Sequence, residues 1–155
     1  MSDILTVTLN PALDVSAITE RVRPTSKLRC DAVQRHPGGG GINVARVLHR
    51  LGAECQAVCL LGGPSGQMLS QLLEQEGVPC VPVTIAGHTR ESFTVLESAS
   101  GQEFRFVLPG PDIHPDEIQT LMATLARQAP PKLVVGSGGR RRLHQRSVDA
   151  VSGGP

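Results

Sequence analysis

The segment "HPGGGGINVARVLHRLG", residues 36–52, joins four consecutive glycines to a helical pattern of apolar residues. Ordered glycines lose much conformational entropy and add no side chain to a core, so the segment uses its bare backbone for some purpose. Gly52 stands where a helix-ending glycine is expected. The glycines therefore open a helix, whose apolar stripe at helical spacing consists of Val44, Val47, Leu48 and Leu51.

The start of this helix is a candidate binding site. A helix N-terminus carries unpaired N–H groups and a partial positive charge, and glycine lets a ligand approach that backbone closely. With Asn43 one turn inside, the segment predicts a site for an anion or for sugar hydroxyls, the alternative being a tight strand-to-helix turn without a ligand. A dinucleotide fingerprint does not fit, since its last glycine would fall on Asn43 or Val44. A P-loop does not fit either, because the chain has no Gly-Lys pair.

The composition indicates one globular domain with an aliphatic core. The 155 residues are 39% hydrophobic with net charge +1, and they include three Phe but no Trp or Tyr. So few aromatic residues argue against nucleic-acid binding by base stacking. No signal peptide and no membrane-spanning apolar run is recognisable. We therefore expect no membrane partner and a reducing cytoplasm. The cysteines, none of them in a C-x-x-C pair, are expected to be buried free thiols: Cys30, Cys55, Cys59 and Cys80.

Extended and helical patterns alternate along the chain, which predicts an α/β sheet with crossover helices. The extended runs are "ILTVTLNP", "LRCDAVQRHP", "AECQAVCLLGG", "VPCVPVTIAG" and "KLVVGSG". Pro79 and Pro82 assign the fourth of these to a sheet edge. Besides the glycine-led helix, "GQMLSQLLEQEG" predicts a helix that buries Met68, Leu69, Leu72 and Leu73. The segment "HPDEIQTLMATLARQ" predicts another helix, with a stripe of Ile118, Leu121, Met122 and Leu125.

One segment breaks the alternation and predicts an antiparallel hairpin. Its strands are "RESFTVLES" and "EFRFVLPG", joined by the turn "ASGQ". Phe104, Phe106 and Leu108 would share one face, so that Arg105 points the other way.

Beyond residue 138 the sequence changes character. Residues 139–155 contain four arginines, one aspartate and no periodic pattern. We expect a disordered tail, the alternative being a nucleic-acid or phosphate patch. The domain would then comprise residues 1–138.

The motifs "TLNPALD", "KLRC", "PGGGGINVARVLHRLG", "TRESFTV" and "FRFVLPGP" occur in the order seen in one family. Over roughly residues 4–138 the chain resembles the PfkB branch of the ribokinase-like sugar kinases, above all its type-2 6-phosphofructokinases. The resemblance implies a sheet flanked by helices with a small antiparallel β lid, formed by residues 15–33 and 91–107. It also implies that the lids of two subunits clasp each other in a homodimer.

The implied activity is ATP-dependent phosphoryl transfer to the 1-hydroxyl of fructose 6-phosphate in glycolysis. 1-Phosphofructokinases and tagatose-6-phosphate kinases are similar, but many of them carry a lysine where this chain has Gly40. The resemblance implies that the sugar hydroxyls are held by Asp14, Gly39, Gly40 and Asn43. It implies that the phosphate of this phosphorylated ketose is met by Lys27, Arg90 and Arg105. Taken singly, Asp14 could instead be a turn cap and the three cations could be solvated surface residues.

Two motifs of the resembled family are absent from this chain. The family influences Mg²⁺ through an Asn-x-x-Glu motif, and a Gly-Ala-Gly-Asp motif supplies its aspartate base. Here the only asparagines, Asn10 and Asn43, are not followed by Glu three residues later, and no Gly-Asp pair occurs. We therefore expect no catalytic residue in this chain, little of the ATP and Mg²⁺ sites, and no activity of the chain alone. A frameshift or premature end near Gly138 would explain this. The alternative is a non-catalytic module that binds sugar phosphates or associates through its lid.

Overall fold

The computed structural model describes residues 3–138, which form eight strands and three helices. In chain order these are β1 (Ile4–Thr8), β2 (Ala12–Thr19), β3 (Asp31–Gly38), α1 (Gly40–Arg50), β4 (Cys55–Leu61), α2 (Gly63–Gln75), β5 (Cys80–Thr84), β6 (Arg90–Glu97), β7 (Glu103–Val107), α3 (Pro115–Ala126) and β8 (Leu133–Ser137).

The first sheet is parallel and has the strand order β5-β4-β1-β8. Helix α1 lies on the path from the β3 end to β4, and α2 connects β4 to β5, as expected of crossover helices. This confirms the α/β prediction. The proline-containing strand β5 lies at one edge, as predicted, and β8 lies at the other.

The core lies on both faces of strands β1 and β4. On one face α1 and α2 contribute Ile42, Ala45, Leu69 and Leu73, which pack with Ala57 and its neighbours on β4. On the other face Leu121 of α3 joins apolar residues of β1, β4 and β5. Burial on both faces explains why the sequence of β4 is almost continuously apolar.

The second sheet has the order β3-β2-β6-β7. The predicted hairpin is confirmed, since β6 and β7 pair antiparallel, with Gly101 at φ +74° in the connection. The sheet is nevertheless mixed, because β2 and β6 pair in parallel. The prediction of an antiparallel lid was wrong for this pair of strands. The reason is that β2 follows β1 and β6 follows β5, so both chain segments leave parallel strands at the same end of the first sheet.

The buried face of α1 differs from the predicted stripe. Val47 and Leu51 are 54% and 76% exposed, whereas Ile42 and Ala45 are fully buried. Gly41 explains the rotation, since a Cβ there would lie 2.5 Å from Thr8 Oγ1. Without that Cβ the helix approaches β1 along its glycine-bearing side. Gly52 ends the helix at φ +77°, as predicted.

Helices α2 and α3 bury narrower stripes than their patterns predict. α2 begins at Gly63, before the predicted start, and it buries Leu69 and Leu73 while Met68 is exposed and Leu72 half-buried. In α3 only Leu121 of the predicted stripe is fully buried, Leu125 is half-buried, and Ile118 and Met122 are exposed.

The polar residue Glu117 occupies part of the buried face of α3. Its two carboxylate oxygens accept hydrogen bonds from the N–H groups of Ala86 and His114, both at 2.7 Å. A buried carboxylate with two donors fixes the start of α3 against the segment before β6. The burial of polar residues on α3 is why its apolar pattern alone gave the wrong face.

The four cysteines are free, as predicted. Cys55 and Cys59 are buried and Cys80 is half-buried, but the predicted burial was wrong for Cys30, which is exposed in the connection before β3. Within the part of the chain that the structure describes, no helix is long and apolar enough to cross a membrane. The predicted tail, residues 139–155, lies outside the described residues.

Candidate functional site

The second sheet presents two chemically different faces. Along paired strands, side chains opposite each other point to the same side, and alternate residues point to opposite sides. The polar face carries Asp14, Ser16, Gln34, His36, Arg90, Ser92, Thr94 and Arg105. The apolar face carries Val15, Ala17, Phe93, Val95, Phe104 and Phe106, and the charged residues Arg35 and Glu91 also lie on this side of the sheet. Three of the predicted site residues, Asp14, Arg90 and Arg105, thus share one face.

Asp14 lies inside strand β2 with its carboxylate fixed from two sides. Ser92 Oγ on β6 donates a hydrogen bond to Asp14 Oδ1 at 2.7 Å. Gly38, at the end of β3, leaves room for the carboxylate, because a Cβ there would lie 2.1 Å from Asp14 Oδ2. The carboxylate is therefore held at the end of β3, and its position in mid-strand shows that the turn-cap alternative was wrong. A carboxylate oriented in this way can accept hydrogen bonds from hydroxyl groups.

The glycine loop, residues 38–41, leads from β3 into α1 with almost no space for side chains. Gly39 adopts φ +124°, a conformation that other residues rarely adopt. A Cβ at residue 40 would lie 2.5 Å from Ser137 Oγ on β8. No side chain caps α1, so the N–H groups of residues 40–42 at its start have no partner within the helix. These groups and the positive end of the helix dipole are available to an anion or a hydroxyl oxygen.

Arg90 opens strand β6 in the same row across the sheet as Ala12 and Gly38. On the polar face this row is the neighbour of the row that contains Ser92 and Asp14. Arg90 therefore lies at the end of the polar face that adjoins the glycine loop. Arg90 is half-buried, and its buried Nε has no hydrogen-bond partner among the described residues. A buried donor of a charged group without a partner is costly, and an anionic ligand would satisfy it.

The remaining predicted residues are brought together to different degrees. Asn43 is exposed in the first turn of α1, where its N–H donates to Gly39 O at 2.8 Å. Arg105 is exposed on β7, on the polar face but two strands away from Asp14. Lys27 is exposed in the connection between β2 and β3, and it forms no hydrogen bond or ion pair with another described residue.

Sequence reasoning missed two residues that line this site. Ser92 stands two residues after Arg90, and the period-two alternation of a strand could have assigned it to the same face. His36 lies opposite Asp14 in the β2–β3 pair, with Nε2 3.3 Å from Gln34 Oε1. No local signal could have found His36, because its neighbour Asp14 is remote in sequence.

A cleft of about 410 Å³ elsewhere on the molecule contains none of the predicted site residues; it is lined by Ser70, Glu74, Gly77, Val78, Pro79 and Cys80. Beneath it, a hydrogen bond between the Cys59 and Cys80 thiols raises the pKa of Cys59 well above its ordinary value and lowers that of Cys80. Two thiols hydrogen-bonded to each other in the sheet interior are packed groups, and the polar face of the second sheet remains the candidate site.

The described residues offer no metal centre. Among residues 3–138 no group of three or more His, Cys, Asp or Glu side chains could hold a metal ion.

Comparison with known protein families assigns the chain. Residues 5–148 match the family described as "pfkB family carbohydrate kinase". The chain belongs to this family of carbohydrate kinases. The family match ends at residue 148, ten residues beyond the end of the segment that resembled the family by its motifs.

Two curated relatives with sequences similar to this chain carry the same name. The chain is 47% identical over 136 residues to "ATP-dependent 6-phosphofructokinase isozyme 2" of Mycobacterium tuberculosis, covering 87% of this chain and 40% of the relative. It is 44% identical over 121 residues to the Escherichia coli protein of the same name, covering 78% of this chain and 39% of the relative. The chain thus spans about two fifths of the length of these relatives.

A solved pfkB-type structure has the same fold over the described part. Phosphofructokinase-2 from Escherichia coli, in complex with fructose-6-phosphate, superposes with a TM-score of 0.80 at 41% sequence identity. The superposition covers 89% of this chain and 46% of that protein. The α/β architecture with a helix-flanked parallel sheet is therefore that of the phosphofructokinase-2 fold.

Proposed function

We propose that this chain is the substrate-binding and lid half of an ATP-dependent fructose-6-phosphate kinase. The observation that carries the proposal is the Asp14 carboxylate held against Gly38, beside the uncapped N-terminus of α1. A carboxylate that accepts hydroxyl hydrogens next to backbone N–H groups that donate is suited to a polyhydroxylated sugar. Arg90, with its unpartnered Nε at the same end of the polar face, supplies the cation for the phosphate.

In this proposal Asp14, Gly39, Gly40 and Asn43 hold sugar hydroxyls. The phosphate contacts Arg90 first. Lys27 and Arg105 complete its binding when the second sheet closes over the ligand as a lid, for which their exposure leaves them available. The lid would correspond to residues 15–33 and 91–107.

The choice of fructose 6-phosphate over a related ketose is supported by Gly40. A side chain at residue 40 would have to displace Ser137 Oγ, 2.5 Å from its Cβ. A lysine such as many 1-phosphofructokinases and tagatose-6-phosphate kinases carry there would therefore require the Ser137 side chain to shift. Those two activities are the alternatives within the family.

ATP and Mg²⁺ are proposed as cofactors of the whole enzyme and not as ligands of residues 3–138. The described residues bind and orient the sugar phosphate. We assign no proton transfer and no phosphoryl transfer to any of them. As a glycolytic activity this would be cytoplasmic, which the four free thiols support.

A homodimer through the second sheet is part of the proposal. Its apolar face carries three phenylalanines, the only ones in the sequence, and Phe106 is 55% exposed. A contiguous apolar face of this kind is typical of an interface. A second copy of the same sheet has matching chemistry.

The experiment is a calorimetric titration of the purified chain with fructose 6-phosphate, and then with fructose, fructose 1-phosphate and tagatose 6-phosphate. We expect Arg90→Ala to raise the Kd for fructose 6-phosphate about tenfold, because a charge-assisted hydrogen bond of about 1.5 kcal/mol is lost. Asp14→Asn should weaken binding of both fructose and fructose 6-phosphate.

The matched control is Arg35→Ala, which removes the same charge from the other side of the second sheet, opposite Val15. It should leave the Kd unchanged. Absence of binding by the unaltered chain, or equal losses in Arg90→Ala and Arg35→Ala, would overturn the proposal.

A further inference from the structure

A guanidinium on α1 ties the glycine loop to two other elements. Arg46 Nη1 donates a hydrogen bond to Pro37 O at 3.1 Å, immediately before the loop. Its Nε and Nη2 donate to Glu76 Oε2 and Oε1, each at 2.7 Å, at the C-terminal end of α2. The same side chain therefore connects the end of β3, the middle of α1 and the end of α2.

The geometry of this contact is specific to arginine. Three of the five N–H donors of the guanidinium are used, two of them in a bidentate pair with one carboxylate. The side chains of Arg46 and Glu76 are 16% and 27% exposed, so solvent screens the pair only partly. Arg50 Nη2 lies 3.6 Å from Glu76 Oε2 but is 66% exposed.

Glu76 keeps the guanidinium in place through its charge. The hydrogen bonds from Arg46 lower the pKa of Glu76 below its ordinary value, and the charges of Arg46, Arg50 and His36 add to this effect. Glu76 is therefore ionised at neutral pH and pairs with the charged guanidinium of Arg46.

The carbonyl that Arg46 holds is in a sensitive place. Pro37 is fully buried and has no N–H, so it fixes the strand end with its ring and its carbonyl alone. The next residue, Gly38, contacts the Asp14 carboxylate, and Gly39 follows at φ +124°. Since glycines impose little conformational preference of their own, the loop needs an external anchor to keep one conformation.

We propose that Arg46, oriented by Glu76, is a positioning residue that holds the glycine loop in the conformation that binds the phosphorylated ketose. The inference rests on the proposed function, because it concerns the same ligand. Among the described residues, the side-chain hydrogen bonds of Arg46 go to Pro37 and Glu76, and none goes to the polar face of the second sheet or to the first turn of α1. Arg46 acts through Pro37 by keeping the loop N–H groups and Asp14 in register with each other.

The test compares affinity with stability in the full chain. Kd for fructose 6-phosphate is measured by calorimetry, and the free energy of unfolding by urea, for Arg46→Ala, Arg46→Lys and Glu76→Gln. We expect Kd to rise about tenfold in Arg46→Ala. The Kd should rise about threefold in Glu76→Gln, because glutamine keeps the shape of the side chain and one hydrogen-bond acceptor. In Arg46→Lys the Kd should stay close to that of Arg46→Ala, since an ammonium group lacks the planar set of donors of the guanidinium.

The control is Leu73→Val, a core substitution on α2 that lowers stability without touching the loop. A purely structural role for Arg46 predicts that variants of equal stability have equal Kd, and that result would overturn the inference. If Arg46→Ala does not fold, the comparison of Glu76→Gln with Leu73→Val decides in the same way. Absence of binding by the unaltered chain overturns the proposed function, and this inference with it. Normal binding by folded Arg46 and Glu76 variants overturns the inference alone.

Discussion

The central strands β1 and β4 of the first sheet and the hairpin of β6 and β7 in the second sheet differ strongly in burial, whereas the outer strands β5 and β8 of the first sheet have one buried residue between them. In the first sheet, seven-residue β4 has six fully buried residues and four of the five residues of β1 are buried. In the second sheet every residue of β6 is half-buried and no residue of β7 is fully buried. The central strands of the first sheet therefore stabilise the fold, whereas the exposed hairpin belongs to the proposed recognition surface.

Catalysis sharpens this comparison most, because we expect neither sheet to provide it. We expect the purified chain, given ATP, magnesium and fructose 6-phosphate, to release ADP several orders of magnitude more slowly than Escherichia coli phosphofructokinase-2 measured in parallel. The physical reason is the lack of the aspartate base and of the anion-stabilising amides, whose individual contributions are about 10² to 10⁴ in rate.

A coupled ADP-release assay gives the rate, and a mock purification from the same host controls for contaminating kinases. Sugar-dependent turnover well above the mock level would show that a catalytic group has been overlooked. Sugar binding without turnover would leave open the alternative of a non-catalytic module.

Core substitutions should break the first sheet. Leu69→Ala removes a fully buried side chain that α2 packs against β4, and it should cost about 2–5 kcal/mol of unfolding free energy. Val47→Ala on α1 is the control, since Val47 is 54% exposed and its truncation should cost much less. Urea unfolding followed by circular dichroism measures both. Similar costs for the two variants would mean that the exposed side of α1 is covered in solution.

A substitution on the second sheet should instead change association. Phe106→Ser should weaken self-association at least tenfold while changing stability little, because Phe106 is 55% exposed on the apolar face. Val107→Ser is the matched control, since Val107 is 69% exposed on the opposite face of the same strand. Sedimentation of both variants at about tens of micromolar measures the effect. An unaltered chain that sediments as a strict monomer would contradict the proposed dimer.

The smallest expected effect is a pH dependence at the junction of the two sheets. Because the pKa of Glu76 is lowered in the folded state, chiefly by Arg46, its contribution to stability is complete above its ordinary value of 4.5. It is lost as the pH falls from there through the lower folded value. We expect this contribution to be about 1 kcal/mol or less.

The measurement is the urea midpoint between about pH 3 and pH 6 for the unaltered chain, Glu76→Gln and the exposed control Glu74→Gln. The difference between the unaltered chain and Glu76→Gln should shrink on acidification. The groups that face Glu76 are Arg46 and Arg50 on α1 and His36 on β3. A constant difference across this range would contradict the assignment.

Patterns within one segment predicted most of the fold. The alternation of extended and helical runs, the edge position of β5 and the hairpin of β6 and β7 were all predicted because each depends on neighbours in sequence. The family and its α/β fold followed from several motifs in one order.

Features that depend on residues far apart were missed. The parallel pairing of β2 with β6, the rotation of α1 by Gly41 and the contact of Arg46 with Glu76 all join separate segments. The site was predicted only in part, because it also depends on contacts between segments that are far apart in sequence. Asp14 and Arg90 come together only through that parallel pair, and Lys27 has no contact that could test its assignment.

The parallel pair of β2 and β6 also has a consequence for folding kinetics. Asp14 and Ser92, bonded side chain to side chain at its centre, are 78 residues apart in sequence. Closing so long a loop is entropically unfavourable until the intervening strands and helices have shortened it. This contact of the second sheet therefore raises the contact order, and we expect the proposed recognition surface to form after β1, β4 and β5 have paired.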